Sequence, residues 1–425
     1  MTLRALLLNQ HPVEYSRNEY FLTSPQRNRL LIIAILGALS TVSPFAIDMY
    51  LPAISQIAQE LSTTPARVSM SISSYFIGLG VGQLFYGPML DRFGRKPPLY
   101  VGLLLFIGAS IGCLMAKSVE VLIAFRLLQA LGGCVAQVDA VAMVRDFFPV
   151  EESARIISML ILILGVSPLL APTVGSLVAT TLGWKWIFLL LAIIVAAILV
   201  VVFRYLPQGH QPDPSISFRP RHVIATFWAI FSHRQFRRYA LAGAFSFCSL
   251  FVYVTGSPII FMDGFHVSPR MFGGIFALLT GGFIGGNQLN IWLSRRYRDH
   301  QLFRIALYCQ SLVAAAFLIG VLAGCGLATT MVLLLLFLSC IGVTYPNAAA
   351  IAMAPFSSNA GTAAALLGAM QLGVGAVLSS GVGLLNSKDG VPVACLMSGT
   401  TFVGLIIFLW GRRAPAEVSA GGQLK

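Results

Sequence analysis

Charge is what this chain has least of: Asp, Glu, Lys and Arg together make up 10% of its 425 residues. A soluble globular domain carries about 25% charged residues, so a water-facing surface of ordinary composition is excluded. The seven cysteines (113, 134, 248, 309, 325, 340 and 395) show no paired spacing and have no histidine beside them, and the six histidines are scattered. That excludes a disulfide framework and a Cys/His metal site, and leaves the cysteines as small packing residues. No nucleophile motif and no phosphate-cradling loop occurs; Gly78, Gly80 and Gly82 lie inside an apolar stretch with no strand before it. A nucleotide site, and with it an ATP-driven pump or an enzyme, therefore finds no support in the chain. The only early apolar run is Leu6 to Leu8, too short for a signal-peptide core, so no cleavage is expected.

What is present is apolar. Hydrophobic residues make up 57% of the chain, and the mean hydropathy is +0.83. About 20 apolar residues cross a hydrocarbon core as a helix. Candidate spans fall near 29–53, 68–88, 98–117, 120–143, 155–180 and 184–206, and again near 238–261, 271–293, 302–324, 327–351, 361–385 and 391–411. Each must be helical, because backbone groups in lipid need partners within their own segment. The fold class expected is therefore an all-α integral membrane protein of twelve transmembrane helices.

The net charge of +13 invites a nucleic-acid reading, and the placement of the 28 Lys and Arg residues removes it. Twenty-two fall in the tails and on alternate loops, from Arg4, Arg17, Arg27 and Arg29 to Arg412, Arg413 and Lys425. The opposite loops hold only Arg67, Lys117, Lys185, Arg270 and Lys388. Under the positive-inside rule this places both termini of a multi-pass membrane protein in the cytoplasm. The partner of the basic excess is a lipid bilayer, with no nucleic acid.

The longest polar interval is 207–237, where Pro207, Pro212, Pro214 and Pro220 break helix. It separates a tail at 1–28 and a six-helix bundle at 29–206 from a second bundle at 238–411 and a tail at 412–425. A shift of 203 residues lays Leu90-Asp-Arg-Phe-Gly-Arg95 over Leu293-Ser-Arg-Arg-Tyr-Arg298, so each half carries a basic turn at the same point. Two pseudo-symmetric six-helix bundles follow, and parallel repeats of this kind place a substrate site between the halves near the bilayer midplane.

An ionisable group inside a span costs roughly 2.5–3.5 kcal/mol on insertion scales, and three persist: Asp48, Arg126 and Asp139. Asp48 lies between Pro44 and Pro52, which free backbone carbonyls and allow a bend at the charge. Burial disfavours the charged form of a carboxylate, and a protonatable group is what proton coupling requires; the competing reading is a helix-end carboxylate facing outer water. From Arg126, at 100° per residue, Gln129, Gly133 and Gln137 fall within about 60°, a polar stripe suited to a cavity wall. The alternative for Arg126 is a side chain snorkelling to the surface; as a modulator it would tune the proton affinity of Asp48 as helices move. Asp139 lies about 220° round from Arg126 and reads as a structural residue engaging the basic hairpin. Tyr50, Tyr253, Tyr345 and Asn347 add polar or aromatic groups to the substrate cavity, and Pro168 and Pro172 predict a kinked fifth span packed closely through Ala171 and Gly175.

Three segments resemble the major facilitator superfamily, over essentially the whole chain. Gly87-x3-Asp91-Arg92-x-Gly94-Arg95-Lys96 resembles its cytoplasmic loop signature, whose Asp and basic residues help latch helices in one conformational state. Arg126-x2-Gln129-x2-Gly132-Gly133 resembles the span-four motif whose Arg is implicated in proton transfer, and Pro168 to Ser176 resembles the span-five antiporter motif, with Ala171 and Ser176 in place of two usual glycines. Ile47 to Pro52, the Arg145-Asp146 loop and Asn359 to Ala365 together resemble the Bcr/CflA branch of twelve-span drug:proton antiporters. The resemblance implies a monomer without cofactors, driven by the proton gradient. It would export small amphipathic compounds such as bicyclomycin or chloramphenicol, or metabolites such as purine nucleosides and amino acids. Nutrient uptake by proton symport is the remaining transport alternative.

Overall fold

The computed structural model describes residues 26–209, 212, 220–356, 360–385 and 390–410. Arg4, Arg17, Arg412, Arg413, Lys425, Asn359 and Lys388 lie outside them. The chain runs as α1 Gln26–Asp48, a 3₁₀ turn Leu51–Ala53, α2 Ile54–Glu60, α3 Pro65–Phe93, α4 Lys96–Leu114, α5 Val119–Phe147, α6 Val150–Thr181 and α7 Lys185–Tyr205. The second half follows as α8 Pro220–Ser232, α9 Arg234–Pro258 with a π turn Ile259–Gly264, α10 Pro269–Leu293, α11 Asp299–Leu322, α12 Leu327–Met353, α13 Ala360–Leu384 and α14 Val391–Trp410. Among the described residues twelve helices have 19 to 32 residues, and ten of the spans are both long and apolar enough to cross a membrane. The other two long helices are α6, of which Leu170–Thr181 is the apolar stretch, and α10.

Local chemistry sets the ends. Thr64 and Ser268 accept from the backbone N–H three residues on, each with a proline at the first helical position, and Ser118 caps α5 in the same way. Gly94 stops α3 at φ +82°, a backbone region open to glycine, and so permits the sharp turn into α4.

Two expectations need correction. Pro220 does not break helix; it occupies the first position of α8, where its missing N–H costs nothing and its fixed φ suits the helix. The first span does not end near residue 53: after the break at Met49 and Tyr50 it continues through Glu60. Asp48 is therefore set at an internal break and not at a helix end facing water.

Within the first half α3 packs on α5, α4 on α5 and α7, and α1 on α5, α6 and α7; the second half repeats the theme with α9 on α12, α13 and α14, and α10 and α11 on α12. Glycine lets these helices meet backbone to backbone: a Cβ on Gly78 would lie 2.7 Å from the Leu127 carbonyl oxygen, and one on Gly286 2.0 Å from that of Ser339. The halves meet along α3 with α13 and along α6 with α10. Ser379 donates to Ser73 at 3.0 Å across this seam. Nearer the end opposite the basic hairpin, Gly383 seats against Met70 and Ala66. At that same end Ser55 donates to Asp263 at 3.3 Å, so the two halves are joined there.

Candidate functional site

The break after Asp48 organises the interior. A helix leaves its last four carbonyls without intrahelical partners, and two of these are accounted for: Phe45 accepts from the Met49 N–H at 3.1 Å, and Ala46 accepts from Arg126 Nη1 at 3.0 Å. Arg126 is 0% exposed. Its Nη1 also donates to Gln129 Oε1 at 2.7 Å, and Gln129 Nε2 donates to Ser110 Oγ at 2.7 Å, fixing α5 against α4. The guanidinium lies over the rings of Tyr75 at 4.3 Å, Tyr50 at 4.9 Å and Phe188 at 6.0 Å. Desolvated cation–π contacts are worth about 2 kcal/mol each, and here they stand where a carboxylate counter-ion would. Nε and Nη2 of Arg126 have no hydrogen-bond partner.

Asp48 is 6% exposed and makes no ion pair with Arg126 in this conformation. The turn that follows it packs against α9 and α10 of the second half, and the Asp48 charge acts on Tyr253 of α9. The Tyr253 hydroxyl is buried without a hydrogen-bond partner, and its ring stacks on Phe276 at 5.7 Å. One carboxyl group of the first half and one phenol of the second are thus both buried.

The span-five residues complete this corner. A Cβ on Gly175 would lie 2.0 Å from the Met49 carbonyl oxygen, so only glycine lets α6 close on the broken segment of the first span. Ala171 is fully buried, Pro168 is half-buried and Pro172 buried. Gly273 of α10 approaches the backbone of Pro172 and Thr173 to within 3.5–3.6 Å of a built Cβ. The segments 47–52 and 171–176, far apart in the chain, form one contact.

Several residues expected on a cavity wall are elsewhere. Tyr50 and Gln129 are fully buried inside the first bundle, where the Tyr50 hydroxyl pairs with Ser71 at 2.9 Å. Gly133 faces Ser43 and Tyr75, so the stripe running from Arg126 packs helices over most of its length, and only Gln137 remains half-buried. Asn347 is likewise structural: it donates to Asn290 at 2.6 Å and to the Val343 carbonyl at 2.7 Å, tying α12 to α10. Tyr345 is half-buried and stacks on Phe247 with centroids 4.3 Å apart. The helical wheel gives the direction of a side chain but not which neighbour stands there.

At the basic end, Arg95 is the hub. It donates to Asp91 at 3.0 Å and to Asp146 at 2.8 and 3.3 Å, joining α3, the turn and α5. Arg92 lies over the Phe93 ring at 5.7 Å, Lys96 is half-buried, and Gly87 has open space where a Cβ would be. The chain leaving α7 crosses this cluster: a Cβ on Gly209 would stand 2.7 Å from Arg95 Cγ and 2.9 Å from Asp146 Oδ2. Asp146 as the main partner of Arg95 was not anticipated, although an acid at the end of the fourth span beside a basic hairpin was the available signal. Also missed was Gln310, which accepts from Ser246 Oγ at 2.7 Å and Thr344 Oγ1 at 3.2 Å and donates to Thr401 at 3.5 Å.

The profile of the Major Facilitator Superfamily matches residues 36–380. The chain belongs to that superfamily. Among its relatives, the uncharacterised MFS-type transporter YdgK of Bacillus subtilis is 31% identical, covering 90% of this chain and 95% of its own. A bicyclomycin resistance protein homolog of Haemophilus influenzae is 28% identical over 90% and 96% respectively, in keeping with the Bcr/CflA resemblance. The crystal structure of a D-xylose-proton symporter superposes with a TM-score of 0.70 at 13% identity, covering 89% of this chain and 96% of that one; at that identity the likeness concerns the fold.

Proposed function

We propose that this facilitator exports small amphipathic compounds of the bicyclomycin and chloramphenicol kind in exchange for protons, with Asp48 as the protonation site. The observation that carries the reading is the position of Asp48, buried at a break in the first span whose following turn packs on α9 and α10 of the second half. A carboxylate there changes its surroundings whenever the halves rock, and its proton affinity changes with them. The bicyclomycin-resistance relative and the span-five segment packed on the break support drug export over nutrient uptake. Arg126 acts as modulator: its Nε and Nη2 hold no partner and are the donors a displaced carboxylate would meet. A membrane potential supplies about 2.3 kcal/mol per charge per 100 mV, so each returning proton can drive substrate uphill without any bound cofactor. The basic end, with Arg95, Arg295 and Arg296, faces the cytoplasm of the inner membrane, and the unit of transport is one chain.

The test is proton release from acidified everted vesicles, followed with a pH-sensitive dye, on adding bicyclomycin, chloramphenicol and a panel of nucleosides. Substrate-dependent collapse of the gradient that disappears in Asp48→Asn, with the variant still present in the membrane, is the expected result. Uphill export retained by Asp48→Asn would sink the assignment.

A further inference from the structure

Asp139 takes no part in the mechanism above. It is 0% exposed, and neither carboxylate oxygen has a hydrogen-bond partner. A buried charge is tolerated when it is paired and hydrogen-bonded, and this carboxyl has no donor of any kind against it. Its surroundings suit the neutral acid.

The groups that act on it lie toward the basic end. Asp146 follows Asp139 by seven residues, about two helical turns, so the two share a face of α5, roughly 10 Å apart along the axis. Arg95, from the turn between α3 and α4, interacts electrostatically with both acids. Among the described residues no other charged group acts on Asp139, whether from α1, α3, α4 or α6. Arg95 at present gives its hydrogen bonds to Asp91 and Asp146, and the backbone at Gly209 covers that pairing.

We propose that Asp139 is a second proton-binding carboxyl of this transporter, and that its ionisation draws Arg95 away from Asp146 and so loosens the cytoplasmic cluster. The proton on an Asp139 oxygen leaves to cytoplasmic water as the halves rock, and the resulting carboxylate takes a hydrogen bond from the Arg95 guanidinium, which loosens the cluster. Reprotonation from the side opposite the basic hairpin, once the halves have rocked to open there, returns Arg95 to Asp146 and completes the transfer of one proton. The inference rests on the proton-coupled reading, and it adds one proton to each cycle beyond the one carried at Asp48.

The experiment is a pH titration of the purified full-length protein in lipid nanodiscs, followed by infrared absorption of protonated carboxylic C=O groups. Wild type, Asp139→Asn and Asp48→Asn are compared, and Asp139→Glu checks that any loss is not misfolding. The expected result is one titrating C=O band absent from Asp139→Asn, a different one absent from Asp48→Asn, and a shifted band restored in Asp139→Glu. A band set in Asp139→Asn identical to that of wild type overturns the proposal. In everted vesicles, protons released per chloramphenicol should fall by one in Asp139→Asn. An unchanged ratio there refutes Asp139 alone, whereas a wild type that moves no protons with any panel compound refutes the coupling reading on which it stands.

Discussion

The two halves share a fold and divide the chemistry. The first half buries Asp48, Arg126 and Asp139; the second ties its helices with neutral groups, Gln310 with Ser246, Thr344 and Thr401, and Asn347 with Asn290. The basic turns diverge in parallel: Arg95 in the first half is held by two carboxylates, while the matching turn of the second half, Ser294 to Arg298, has lost the Asp and Gly. An intramembrane charge is costly whichever half carries it, whereas a neutral interhelical hydrogen bond is worth about 0.6–2 kcal/mol and holds helices together. On the proposed reading, the ionisable groups that would bind protons are concentrated in one bundle and the other meets them with neutral groups.

The sharpest way to break this comparison is to neutralise one side at a time. Asp48→Asn should reduce gradient-driven transport to the level of empty vesicles while leaving the thermal midpoint of the purified protein nearly unchanged. Gln310→Leu should do the reverse. It removes the acceptor for Ser246 and Thr344 and costs about 1–3 kcal/mol, visible as a lowered melting temperature in detergent with the proton-to-substrate ratio intact. Lost coupling in Gln310→Leu would mean that the halves do not divide the work as described.

A second pair of variants tests the close approach of α6 to the broken span. Gly175→Val drives a side chain into the Met49 carbonyl, 2.0 Å from the built Cβ, and backbone there cannot step aside. Overpacking costs about 1–3 kcal/mol or more, so both folded yield and transport should fall. Gly285→Val, in the second half, meets open space and should leave both as in wild type. Equal yields for the two would show that the α1–α6 contact is not constrained.

The smallest effect belongs to the end opposite the basic hairpin, where Glu60 accepts from Lys185 and from Trp184 Nε1. The hydrogen bond from Lys185 is the main cause holding the Glu60 carboxyl below its ordinary value of 4.5. A depressed folded value means that the stabilisation is fully present above about pH 4.5 and is lost as pH falls through the lower folded value. The pair is 42–45% exposed, so solvent screening keeps its worth below about 1 kcal/mol. Glu60→Gln should therefore shift the melting temperature by no more than a degree or two at pH 7, and wild type should show no change from this pair between pH 7 and 5.

Much of this was legible in the chain. Each span is a run of apolar residues whose backbone bonds close within the run, so composition and length alone located the helices; the first span was drawn short of Glu60, and Pro220, read as a helix breaker, opens a helix. The cost of an intramembrane charge likewise singled out Asp48, Arg126 and Asp139 without any neighbour being known. Partners were not legible, because most come from other helices, 19 residues away for Ser110 and 80 for Ala46, whose relative rotation depends on packing. Tyr50 and Gln129 pointed in the expected direction and met Ser71, Arg126 and Ser110 in place of a cavity.

Sequence by itself therefore determined the membrane class, the duplicated six-helix plan and the short list of ionisable residues, all of which follow from local hydrophobicity and the price of burying charge. Tertiary structure alone decided that Arg126 holds the freed Ala46 carbonyl and not Asp48, that Gly175 closes on Met49, and that Arg95 answers to Asp146. Those choices are made by backbones approaching within a few ångströms at glycine, a property of how helices pack and not of any one helix.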